Sequence, residues 1–190
     1  MRLSKPRIPP VADEALTAEQ KEALAPLAGS WDGKVLNIFR TLANEPRALK
    51  GFMAWGNYVL SRRNSLPARE REIVILRIGY LCRSGYEWGQ HVEIGLKSGL
   101  TPQEIARIKE GAGAAGWSAA DAALIRASDE LHHDHFVSDA TWNELGAHFS
   151  DRQRMDFVFT AAQYTQVSMI LNTLGVQLDP GMTLDPDLKA

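Results

Sequence analysis

The chain has 190 residues, 45% of them hydrophobic, and a formal net charge of −2. That is the length of one domain with enough apolar material for a sizeable core. The charge balance supplies no basic surface for nucleic acid or an anionic membrane, and a single cysteine excludes an intrachain disulfide framework and a cysteine-based zinc site.

Residues 1–16 read as an extended arm, because Pro6, Pro9 and Pro10 remove backbone donors and oppose helix. The start is basic and proline-rich and lacks the apolar segment of a signal peptide. No apolar run approaches the ~18 residues of a membrane span, and the chain reads as cytoplasmic. A helical domain is expected over 17–176. Thr17 opens its first helix as N-cap with Gln20 as capping-box partner, and Pro26 and Gly29 end it. Val35, Ile38, Phe39 and Leu42 form a second helical stripe. After the turn Asn44-Glu45, Pro46 is placed to begin a third helix over 47–61. Phe39, Phe52, Trp55 and Tyr58 either line a pocket for a ring-shaped ligand or simply pack the core.

Ser65 is a candidate N-cap for the central helix, with Pro67 in its first turn. The run Ile73 to Ile78 is apolar nearly all round, so this helix belongs at the centre of a bundle. Arg77 inside it either binds a substrate carboxylate or pairs with Glu72, Glu87 or another acid. A break follows at Arg83-Ser84-Gly85, and then a second helix carrying Tyr86, Glu87, Trp88 and His91. On one unbroken helix Glu72 and His91 would stand about 28 Å apart. A fold-back at Ser84-Gly85 brings them together. Glu87 and His91 share a helix face, and Glu87 lies in the first turn, where the helix dipole favours a carboxylate. A carboxylate bonded to one imidazole nitrogen fixes the tautomer and leaves the other nitrogen for proton transfer. His91, Glu72 and Glu87 are therefore the candidate catalytic groups. The alternative is ordinary surface pairing.

Cys82 has no second thiol to resolve it and reads as a half-buried structural residue. Thr101-Pro102-Gln103-Glu104 is a helix start with its capping box, and a glycine-rich connector over 111–116 leads to Ser118 as the next cap. That helix ends in His132, His133 and His135, imidazoles that suit either a helix C-terminus or a metal. The spacing matches no zinc motif, and no metal ligand set is assigned. Ser138 caps a helix running through His148, and Ser150 begins the last long one. There Tyr164, Gln166, Ser168 and Asn172 can hydrogen-bond into a site or be satisfied in the core. From Asp179-Pro180-Gly181 the tail, 177–190, carries no structural signal.

The run EIVILRIGYLCRSGYEWGQHVEIGLKSGL resembles the carboxymuconolactone decarboxylase family, which includes the alkylhydroperoxidase D proteins. The resemblance extends from about Asn37 to Asn172. The spacing of nineteen between Glu72 and His91 matches the acid and imidazole of the peroxidase branch, but Ser84 and Glu87 stand where that branch has a C-x-x-C pair. Tyr86-Glu87-Trp88 with His91 is more similar to the decarboxylase side. The resemblance implies an all-α, single-domain helical bundle, assembled as a homo-oligomer, often a trimer or hexamer, with a pocket near a subunit interface. It implies a cofactor-independent lyase acting on a small carboxylated lactone or an acid derived from an aromatic ring. His91, Glu72 and Glu87 would do acid-base chemistry, and Arg77, Tyr86 and Trp88 would bind substrate. A thiol peroxidase with one thiol, or a non-catalytic binding oligomer of the same fold, are the alternatives.

Overall fold

The computed structural model describes residues 3–28 and 34–189. Gly29, expected at the end of the first helix, lies outside them. All regular structure among the described residues is helical: α1 (Ala18–Leu24), α2 (Asn37–Leu42), α3 (Pro46–Leu60), α4 (Ala68–Leu81), α5 (Gly85–Lys97), α6 (Pro102–Glu110), α7 (Ala119–Asp134), α8 (Asp139–Gly146) and α9 (Asp151–Leu174), with three short 3₁₀ turns. No helix among the described residues is long and apolar enough to cross a membrane.

α4 is the axis. Every residue from Glu72 to Gly79 is buried, and α5, α6, α7 and α9 all pack on it. Leu66, Val74, Ile75 and Ile78 meet α7 and α9 through Leu124, Phe157 and Ala161. Ile73 and Leu76 meet Trp88, Ile105 and Ile108 on the other side. A helix apolar all round has no solvent face to offer, and it is used here as the hub.

Many helix starts follow local sequence. Thr17, Thr101 and Ser150 each close a reciprocal capping box, with Gln20, Glu104 and Gln153, and Ser118 and Ser138 accept one backbone N–H each. Each satisfies donors that a helix start otherwise leaves open. Ser65 does not cap α4. Its backbone N–H and hydroxyl both donate to Asp156 of α9, and Pro67 takes the N-cap position with no side-chain bond. α8 ends at Gly146, two residues short of His148.

The fold-back between α4 and α5 turns on Arg83, not on the expected Ser84-Gly85. Arg83 has φ +52°. Its N–H donates to the Tyr80 carbonyl at 2.9 Å, and the Ser84 N–H donates to the Gly79 carbonyl at 2.8 Å. These paired bonds close the end of α4 by the geometry that usually places glycine at the left-handed position. Gly85 instead starts α5.

The first and last described segments both lie on the bundle. In the N-terminal arm the Arg7 N–H donates to the Leu174 carbonyl and Val11 to that of Arg40, while Asp13 pairs with Arg40 at 2.7 Å. The C-terminal tail is held firmly, although nothing in its sequence signalled this. Asp179 accepts the Asn37 N–H at 2.8 Å. Lys109 pairs with Asp185 and Asp187, and Leu188 is buried against the α4–α6 core.

Candidate functional site

The α4–α5 hairpin brings together the acid and the imidazole that are nineteen residues apart. Glu72 and His91 are both buried, and His91 Nδ1–H donates to Glu72 Oε2 at 2.7 Å. That bond fixes the ring and leaves Nε2 as the atom able to exchange a proton. Tyr164 of α9 packs edge-on against the ring, with centroids 4.8 Å apart.

Glu87, one turn before His91, does not orient the imidazole. Its Oε2 accepts the Ser168 hydroxyl at 2.9 Å, and Oε1 is buried without a partner among the described residues. Burial pushes the Glu87 carboxyl well above the ordinary range. The Ser168 bond opposes the shift and the nearby Glu72 adds to it. The helix dipole, which favours ionisation at this first-turn position, is outweighed by the loss of water. Burial therefore favours the protonated, neutral form of Glu87. Gly79 makes room for it, since a Cβ there would stand 3.0 Å from Glu87 Oε1.

His91 and Glu87 border a cavity of about 110 Å³ lined by residues of α2, α3, α5 and α9. Its walls are mostly apolar, with Ile38, Phe39, Phe52, Met53, Ile94 and Val167 among them, and its polar side chains include Glu87, His91, Gln90, Gln163 and Tyr164. Of the four aromatics expected as lining or core, Phe39 and Phe52 face the cavity. Trp55 and Tyr58 pack edge-on against Phe159 instead.

The three residues expected to bind substrate have different positions. Tyr86 lines the cavity, and its hydroxyl bonds Asp179 of the tail. Trp88 is outside the lining, packed in the core against Tyr80 and under the Lys109 ammonium. Arg77 is outside it too. Its Nε donates to Asp129 at 2.5 Å and Nη1 to the carbonyls of Ile108 and Lys109. A guanidinium so engaged is the buried, paired charge that the ion-pair reading anticipated, with Asp129 as the partner. Among the described residues no Lys or Arg lines the cavity.

Cys82 is half-buried, with Sγ 3.6 Å from His132 Nδ1, and is not in the lining. His133 and His135 turn Nδ1 to the carbonyls of Asp129 and Leu131, closing the end of α7. Gln166 is exposed, and Asn172 donates to the Cys82 carbonyl. Sequence reasoning missed Gln163. It sits at the buried period of α9, between Thr160 and Val167, and a polar residue in that register was the available signal.

Residues 46–129 match the model of the carboxymuconolactone decarboxylase family. Among curated proteins none matches the sequence. Several solved structures share the fold. A peroxidase-related protein from Ralstonia eutropha JMP134, described as an alkylhydroperoxidase AhpD core, is 20% identical, covers 92% of this chain and 93% of its own, and has a TM-score of 0.80. A peroxidase-related protein from Silicibacter sp. TM1040 is 16% identical over 94% and 92%, with a TM-score of 0.75. The debrominase Bmp8 in complex with 2,3,4-tribromopyrrole is 11% identical over 93% and 94%, with a TM-score of 0.73. At these identities the likeness establishes the fold alone.

Proposed function

We propose, from the match of residues 46–129 to the carboxymuconolactone decarboxylase family and from the site geometry, that the protein is a cofactor-independent acid-base lyase. Its substrate would be a small unsaturated lactone acid or a related ring-derived acid. The observation that carries this reading is the buried Glu72–His91 bond at the wall of an apolar cavity, with the Glu87 carboxyl, whose protonated form burial favours, beside it. Loss of carbon dioxide breaks one C–C bond and leaves its electron pair on the conjugated carbonyl as a dienolate. A proton then returns to carbon. Glu87 is suited to hydrogen-bond the developing enolate, and His91 to move the proton at Nε2 while Glu72 holds its ring. An apolar cavity strengthens both interactions by excluding water. Arg77 and Trp88 have no part in this scheme.

The test is carbon dioxide release from a panel of unsaturated lactone acids. His91→Ala and Glu72→Gln should each lower turnover by ~10² to 10⁴. Unchanged turnover in His91→Ala would refute the assignment. Thiol peroxidase chemistry draws no support from the position of Cys82, so Cys82→Ser should leave activity unaltered. A homo-oligomer is also proposed. Met155, Phe159 and Met169 leave an apolar stripe exposed along α9, as an unpartnered interface would.

A further inference from the structure

Three buried hydrogen-bonding atoms at the cavity lack partners among the described residues: Glu87 Oε1, Gln163 Oε1 and Gln163 Nε2. Gln163 is 1% exposed and lines the cavity. It lies five residues before Ser168, which fixes the other oxygen of Glu87. Facing it on α3 is Gly56, whose missing side chain leaves the amide uncovered. A Cβ there would lie 3.9 Å from Nε2. Buried polar groups are rarely left unmatched in a folded protein. A whole unmatched amide, at a cavity wall where Leu or Met would pack as well, indicates a ligand.

The chemistry of that ligand follows from what each atom needs. Ser168 donates to Glu87 Oε2, so a proton carried by the carboxyl belongs on the unpartnered Oε1, where it requires an acceptor. Gln163 requires one acceptor and one donor, whichever way its amide is turned. A lactone with acceptors only would leave the Gln163 carbonyl unmet. An apolar cavity of about 150 Å³ takes benzene, so about 110 Å³ suits a five-membered ring.

We propose that Gln163 and Glu87 together clamp a small ring bearing a carbonyl beside an O–H or N–H, which makes the substrate a hydroxylactone or a lactam. This rests on the cavity being the substrate site, as proposed above, and it narrows the substrate class. Gln163 is a specificity residue in this scheme, and Glu87 serves both the clamp and the acid.

Four probes test it by isothermal titration: γ-butyrolactam, α-hydroxy-γ-butyrolactone, γ-butyrolactone and N-methyl-γ-butyrolactam. At least one of the two donor-bearing rings should bind about tenfold tighter than the two without a donor. Their order identifies the donor as N–H or O–H. In Gln163→Met the advantage should fall to about one. Gly56→Ala should weaken all four together by shrinking the space. Equal affinities in the wild type, an advantage that survives Gln163→Met, or no binding at tens of millimolar (a cavity for water only) would each overturn the clamp. The lactam and lactone have the same shape, so the wild-type comparison decides even if Gln163→Met fails to fold. The readout is binding. A chain inert toward every lactone acid leaves it intact, and equal ratios in an active decarboxylase would sink the clamp alone.

Discussion

Glu87→Gln keeps the shape of the side chain and an acceptor for Ser168 but removes a titration. In the wild type the folded carboxyl holds its proton well above the ordinary glutamate value of about 4.5. Below that value both folded and unfolded chains are protonated, and the group does not affect stability. Above it the unfolded chain ionises first, so unfolding releases a proton. Stability is then lost as pH rises, at about 1.4 kcal/mol per pH unit for one proton, until the folded group itself titrates. The amide variant lacks this loss. Its stability relative to the wild type should therefore climb by about 1.4 kcal/mol per unit from about pH 5 upward. Urea unfolding of both proteins, at matched concentration and ionic strength in half-unit steps, reads the difference directly. Every other titrating group largely cancels between them. A difference that stays level with pH, or that falls, would refute the claim that Glu87 is buried as a neutral acid.

Gly79→Ala directs a methyl at Glu87 Oε1 from 3.0 Å. We expect a folded, helical protein with turnover in the proposed decarboxylation reduced about tenfold or more, since the acid must shift. Arg83→Gly relieves a left-handed non-glycine turn at φ +52° and should raise unfolding stability by up to ~1 kcal/mol in urea titrations. Phe159→Glu, on the exposed stripe of α9, should shift the mass measured by light scattering toward the monomer. Lys109→Met removes the ammonium that pairs with Asp185 and Asp187 and should speed proteolysis of the C-terminal tail.

Features set by near neighbours in the chain were readable in advance. Thr17, Thr101, Ser118, Ser138 and Ser150 cap helices because their partners lie three residues away. The all-apolar run of α4 announced a central helix for the same local reason. Ser65 carried the same signal, but Asp156, ninety-one residues on, offers it two stronger bonds. The hairpin joint was located correctly, but the pivot residue was not. Arg83 is tolerated in a glycine geometry because the paired carbonyl bonds and the packing of both helices over-determine the turn. At the site, Glu72 and His91 were legible from spacing and resemblance. Which acid orients the imidazole was not, because it depends on Ser168 capturing Glu87 from another helix. Arg77 could not be resolved from sequence, since Asp129 reaches it from α7. The docked tail was invisible for a related reason: three aspartates and a leucine look like solvated coil until Asn37, Lys109 and the α4–α6 core are placed beneath them.

That docking bears on how the protein should be handled at the bench. Leu188 is 2% exposed. An affinity handle or fluorescent fusion joined there would tug on a side chain seated in the interior. Asp179, farther up the same segment, grips Tyr86 and Gln90, both of which face the cavity. A handle or fusion joint placed within 179–188 would therefore disturb the very pocket it was meant to help purify.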